Sequence, residues 1–350
     1  MGRVSIMKKG LALLLSLTVL VAVFSVAGCS SAKSTVKLGL GSVSSINSSR
    51  DASDGVLAMG QADTTIAAVV FDKDGKIVDV TIDSVQSKVN FDENMKVTSD
   101  KNAKVKSKKE LGFDYNMKDR SEIGKEWFEQ IEALEEWMVG KTVSEVTGLK
   151  VKERDANHKH VPDVPELTSS VTITVESYLA AVKKAWENTI EVKGYDTLGL
   201  GLNVSIASSR DASDAATAQA QADATFAATA FDKNGKVLGT IIDTAQVRIA
   251  FDADGKVASD KGAAIKSKKE LGFDYNMKDR SEIGKEWFEQ IDALEDWMVG
   301  KTVSEITGLK VKERDANHKH VPDVPELTSS VTITVEGYLA AVEDSFSKKK

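Results

Sequence analysis

Hydroxyl side chains crowd one short stretch of this chain: Thr168, Ser169, Ser170, Thr172 and Thr174 lie inside Pro165 to Val175, and Pro325 to Val335 repeats it letter for letter. An apolar pattern with helical spacing follows, Val175, Leu179, Val182 and Trp186, matched later by Val335, Leu339, Val342 and Phe346. With Thr174 as the N-cap of that helix, free backbone donors and the positive end of the helix dipole would stabilise an anion near Thr172. Two uses of these hydroxyls stay open. One presents Thr172 and Thr332 to a phosphate; the other satisfies a helix terminus.

Other chemistry is thinly supported. The four histidines form two His-Lys-His loops, His158 with His160 and His318 with His320. Alternate residues of an extended segment point to opposite faces, so each pair is a weak metal candidate and no metal is expected. Asp72-Lys73-Asp74-Gly75 lacks the later glutamate of an EF-hand and reads as a β-turn. No Ser-His-Asp set, glycine-rich phosphate loop or paired-carboxylate signature stands out. The lysines from 104 to 109 read as a solvated edge.

The elements that must position the hydroxyl stretch occur twice. An offset of 160 residues, from Thr172 to Thr332, aligns the halves without gaps. From Lys106 to Glu176 against Lys266 to Glu336, only Glu132/Asp292, Glu136/Asp296 and Val146/Ile306 differ. The earlier part of each unit is less alike, yet keeps Leu-Gly-Leu-Gly and Ser-Ser-Arg-Asp-Ala-Ser-Asp. A period this long means two whole domains rather than a solenoid.

Within a unit, Thr65 to Phe71 and Lys76 to Ile82 read as a β-hairpin, with a further strand from Ser87 to Phe91. Ile123, Trp127, Ile131, Leu134 and Trp137 then form a helical stripe, with Ser121 as expected N-cap and Gly140 as stop. Thr142-Val143-Ser144-Glu145 is a capping box for a short helix. The expected fold is α+β, two tandem domains over residues 37–190 and 197–350, each an antiparallel sheet covered by helices. Asn188 to Asp196 reads as a short polar join.

At 350 residues, with 41% hydrophobic and 28% charged residues, the chain can bury a core, and its formal charge of −7 argues against nucleic acid as partner. Residues 1–28 read as an address: Arg3, Lys8 and Lys9, an apolar run from Gly10 to Val26, then small residues. Removing them loses three positive charges, taking −7 to −10. Val26-Ala27-Gly28-Cys29 resembles a bacterial lipobox, which implies lipidation of Cys29, residues 29–36 as lipidated cysteine and tether, and a lipid anchor at the extracytoplasmic face of the cell membrane. Cys29 is the sole cysteine, so the folded region can hold no disulfide.

The hydroxyl stretch resembles the attachment motif of the FMN-binding domain family, Asp-x-x-Ser/Thr-Gly-Ala-Thr. Glu166, Ser169, Ser170 and Thr172 fall on its acid, middle hydroxyl, glycine and acceptor threonine, as do Glu326, Ser329, Ser330 and Thr332. Val171 and Val331 stand where the motif has alanine. The string Leu111 to Lys118, then Ile123 to Trp127 and Trp137 to Thr142, is similar to the two-domain flavinylated lipoproteins of Gram-positive extracellular electron transfer.

That resemblance implies two FMN groups, phosphoester-linked to Thr172 and Thr332 and installed by a separate flavin transferase. It implies an electron carrier between a membrane quinol-oxidising system and extracellular acceptors such as ferric iron or free flavins. Tyr115, Met117, Glu126 and Trp127, with Tyr275, Met277, Glu286 and Trp287, are then candidates to line the flavin ring site. Trp127 also lies on the helical stripe and is equally a core residue. The alternative is a non-redox surface lipoprotein that binds a ligand or partner through its repeated domains.

Overall fold

The computed structural model describes residues 34–350; the address at 1–28 and Cys29 lie outside them. The last tether residues, Thr35 and Val36, already belong to the first strand. Both halves fall within one compact unit, Lys33–Lys350, and the fold is mixed α+β with antiparallel sheets.

The first half begins with three long strands, β1 (Thr35–Ser45), β2 (Met59–Phe71) and β3 (Ile77–Asn90). The expected hairpin is present. Asp72 Oδ1 accepts the N–H groups of Asp74 and Lys76 at 2.9 Å each, and Gly75 takes φ +78° to close the turn. The separate strand expected at Ser87 is instead the end of β3, because neither Gly nor Pro interrupts Ile77 to Asn90.

Short helix α1 (Lys108–Leu111), two 3-10 turns (Gly112–Tyr115 and Lys118–Arg120), α2 (Trp127–Met138), α3 (Val143–Thr147), a minimal hairpin of β4 (Val151–Lys152) and β5 (Val161–Pro162), and α4 (Glu176–Glu187) follow. The join between repeats is not a free linker. Its residues form β6 (Thr189–Lys193), which pairs antiparallel with β1 and completes the order β3-β2-β1-β6.

The second half repeats the plan with β7 (Thr197–Ser205), β8 (Gln219–Phe231) and β9 (Val237–Ala250) in one three-stranded sheet. Helices α5 (Lys268–Leu271), α6 (Trp287–Met298) and α7 (Val303–Thr307) come next. The hairpin of β10 (Val311–Lys312) and β11 (Val321–Pro322) then leads to α8 (Glu336–Ser347).

Strand alternation explains the layering, since successive side chains point to opposite faces. On β2, Ile66, Ala68 and Val70 join an apolar cluster shared with β7, β8 and β9, whereas Ala67, Val69 and Phe71 face α2 and α4. Each sheet therefore buries one face against its repeat and the other against its own helices. The retained Leu-Gly-Leu-Gly follows the same rule: Leu38 and Leu40 enter the shared cluster, and Gly39 and Gly41 let the α4 backbone sit directly on β1.

The halves also clasp one another reciprocally through the retained Ser-Ser-Arg-Asp-Ala-Ser-Asp segment. Asp51 Oδ1 accepts the N–H of Val257 at 2.9 Å, and Asp211 Oδ1 accepts that of Val97 at 2.9 Å. Lys261 Nζ donates to the Ser49 carbonyl at 2.7 Å, and Lys101 Nζ to that of Ser209 at 2.6 Å.

Candidate functional site

Helix α2 sets the floor of the site. Its expected N-cap, Ser121, is displaced by Glu126, which forms a capping box with Glu129 and so starts the helix at Trp127. Trp127, Ile131, Leu134 and Met138 bury its apolar face. Gln130 falls on that same buried stripe with no exposed surface, and a buried amide must find partners. Its Nε2 donates to Ser121 Oγ at 3.1 Å, which frees its Oε1 to receive the hydroxyl stretch.

The stretch itself folds as two successive turns anchored by buried Leu167, and Val171, fully buried, fixes the register that follows. Thr172 is only 9% exposed. Its backbone N–H donates to Gln130 Oε1 at 2.8 Å, while its carbonyl accepts Arg154 Nη1 at 2.9 Å. Its hydroxyl lies 3.4 Å from the same Oε1, long for an O–H···O bond, so the backbone is held firmly and the hydroxyl loosely. Thr332 repeats this with Gln290 at 2.9 Å and Arg314 at 2.9 Å.

Thr174 does not cap the last helix. Val175 occupies the N-cap position in a right-handed conformation, with its N–H given to the His160 carbonyl at 3.0 Å, and the buried Thr174 Oγ1 has no hydrogen-bond partner. No side chain caps this helix, and the Thr172 hydroxyl points to Gln130 instead, which removes the helix-capping use of Thr172. It also removes the Thr174 cap as the source of an anion field.

Beside Thr332 opens a cavity of about 320 Å³, lined among others by Tyr275, Met277, Arg280, Gln290, Arg314 and His318. Of the residues singled out from sequence, Thr332, Tyr275, Met277 and His318 meet there. Glu286 and Trp287 do not line it. Glu126 is buried and its carboxylate accepts the N–H groups of Met117 at 2.8 Å and Lys118 at 3.1 Å, as Glu286 does for Met277 and Lys278. It clamps the turn that carries Tyr115 and Met117. Trp127 and Trp287 are core residues, 2% exposed, each donating its indole N–H to a phenol, Tyr178 at 2.9 Å and Tyr338 at 2.8 Å.

Glu166, Ser169, Glu326 and Ser329 are exposed on the turns, outside the cavity lining, and Ser170 and Ser330 bond back to the carbonyls of Leu167 and Leu327 at 3.3 Å. His158 pairs with Asp155 at 2.8 Å and His160 with Glu176 at 2.9 Å, so each pair splits toward different carboxylates. Hydrogen bonding to His158 holds Asp155 down to about 2. Among the described residues no group of three or more His, Cys, Asp or Glu could hold a metal ion.

Lys108 lies over the rings of Tyr115 and Trp127 at 4.8 and 5.1 Å, and Lys268 over Tyr275 and Trp287 at 5.0 and 5.1 Å. Burial disfavours the Lys268 charge, but Tyr338 and Tyr275 outweigh it and hold the ammonium pKa above that of an ordinary lysine.

A stretch of 134 residues is 35% identical to a protein named chlorophenol reductase from Desulfitobacterium hafniense, 35% of this chain against 41% of that protein. The chain is similar to part of a reductase. It spans about two-fifths of that relative's length. No family model and no solved structure matches. A redox role is compatible with that similarity.

Gln130, Arg154, Arg120 and their counterparts Gln290, Arg314 and Arg280 were not evident as site residues. Gln130 left one local sign, a polar residue on an otherwise apolar helical stripe. The arginines left none: Arg154 meets the Thr172 carbonyl only on folding, and Arg120 bonds a backbone carbonyl, that of Asn116, which no side-chain pattern announces.

Proposed function

We propose that this chain is a membrane-anchored electron-transfer flavoprotein that carries FMN through its phosphate on Thr172 and Thr332. The observation that supports it best is the firmly held backbone and loosely held hydroxyl of Thr332 at the wall of a cavity of about 320 Å³. The residues present fit such a group. Arg314 and Arg280 offer cations for a phosphate, Tyr275 an aromatic wall, and Met277 with Ile333 apolar contact.

In this reading Gln290 orients Thr332, Arg314 fixes its carbonyl, and Glu286 holds the Tyr275 and Met277 turn against the cavity. Bound flavin would supply the electron exchange, and the protein supplies position and electrostatics. Lipidation at Cys29 would keep the chain at the outer membrane face, receiving electrons from a quinol-oxidising system and passing them to extracellular acceptors. Installation requires a separate flavin transferase.

Coexpression with such a transferase and intact-mass measurement tests the proposal. Two FMN increments that vanish with Thr172→Ala and Thr332→Ala together support it. An unmodified mass sinks it, and a colourless protein that captures a surface component would favour the binding lipoprotein instead.

A further inference from the structure

A second cavity, of about 290 Å³, adjoins the Thr332 cavity and shares Tyr275 and Arg280 as walls. Its lining is strongly basic: Arg248, Lys266, Lys268 and Arg280, against one acid, Asp274. Among the described residues none of these four cations has a carboxylate within ion-pairing distance. Arg248 donates to the side-chain carbonyls of Gln221 at 3.1 Å and Gln246 at 3.0 Å, and Arg280 to the Asn276 carbonyl at 3.1 Å. Their immediate neighbour behaves differently, since Lys269 pairs with both Asp292 and Glu295 at 2.8 Å. A chain of formal charge −7 has carboxylates to spare, yet leaves these cations together and unpaired. Cations so gathered make a positive potential that draws an anion from solution. The first half carries Lys88, Lys106, Lys108 and Arg120 at the equivalent positions, again without ion pairs among the described residues.

We propose that this basic cavity and its first-half counterpart are docking sites for a small polyanionic electron acceptor, such as a polycarboxylate chelate of an oxidised metal ion. The Arg248 guanidinium matches a pair of carboxylate oxygens, and Lys266 and Lys268 add point charges. Leu271 and Tyr275 give the docked molecule an apolar wall, and Tyr275 separates it from the group on Thr332. The proposal rests on the redox reading above. Two equivalents of a one-electron acceptor take the two electrons of one reduced cofactor, whose protons pass to water.

The test uses the full chain and a variant lacking four exposed cations, Lys88→Gln, Lys106→Gln, Arg248→Gln and Lys266→Gln. Calorimetric titration of the unloaded protein with citrate is expected to show binding that weakens about tenfold in the variant. Flavin absorbance of the loaded protein is read next, followed by stopped-flow oxidation of the dithionite-reduced sample. At low salt, ferricyanide is expected to oxidise the variant about tenfold more slowly than the parent, with no loss of rate for hexaammineruthenium(III). Citrate binding that is absent, or that the variant retains unchanged, overturns the site. A coloured protein whose four substitutions slow both oxidants alike overturns the docking role and leaves the redox reading standing. A colourless protein overturns both.

Discussion

Gln130 Oε1 accepts the backbone N–H of Thr172 at 2.8 Å, and Gln290 Oε1 accepts that of Thr332 at 2.9 Å, so a helix and a turn 42 residues apart are joined at the proposed attachment point. Both Gln side chains are fully buried. Replacement by Leu leaves a buried N–H without a partner, which costs about 1–3 kcal/mol. Gln290→Leu is expected to lower the thermal midpoint and also to lower flavin loading at Thr332 while Thr172 still loads. Calorimetry and site-resolved mass mapping read the two effects separately.

Each half holds its own threonine, Gln and Arg, so the two sites are expected to load independently. Thr172→Ala should remove one FMN increment and Thr332→Ala the other. Thr168→Ala should remove none, because its exposed hydroxyl bonds locally to the Pro165 carbonyl at 3.4 Å. Peptide mapping of the single variants checks the assignment.

The glycines of β1 and β7 predict a stability effect. A Cβ at Gly41 would fall on the Ala181 carbonyl and the Ala185 N–H, and one at Gly201 on the Ala341 carbonyl and the Ser345 N–H. Helix backbone cannot move aside as a flexible side chain can. Gly41→Ala or Gly201→Ala is expected to destabilise by about 1–3 kcal/mol or more, read as a lower urea midpoint. Alanine at the exposed Asn102 is expected to shift it little.

Burial pushes Glu295 up from 4.5 to about 7 against the opposing charge of Lys269, and burial likewise lifts Asp243 from 3.8 to about 6. Unfolding returns both to ordinary values, so the native state binds more protons between about pH 4 and 7. These groups therefore make stability fall as pH rises through that window. Glu295→Gln keeps an acceptor for the Ile242 N–H, which Glu295 receives at 2.6 Å, and is expected to flatten the fall. Urea unfolding at stepped pH from 4.5 to 7 gives the slopes.

Local chemistry was legible in the sequence and distant chemistry was not. The hairpin at Asp72 to Gly75 and the Thr142 to Glu145 capping box depend on residues within four positions of one another, and both appear. Ser121 failed as a cap because Glu126, nearer the buried stripe, makes a reciprocal box with Glu129. Thr174 failed because the helix starts one residue later, with Val175 at the N-cap position. The polar join became β6 because β1 had an unpaired edge to satisfy. At the site, Thr172, Tyr115 and Met117 could be picked out by resemblance. Arg154 could not, since what marks it is a contact formed only after folding, and Gln130 left no more than a polar break in an apolar stripe.

The reciprocal clasp of Asp51 on Val257 and Asp211 on Val97 has the form of a two-fold interface, each partner giving what it receives. One repeat alone would expose the Leu38, Ile66 and Val70 face that its neighbour covers. A chain of residues 34–194 is therefore expected to associate with a second copy of itself, which light scattering after gel filtration would show as twice the monomer mass. Duplication would then have turned a concentration-dependent homodimer into a permanent one, leaving the two sites free to diverge within a single molecule.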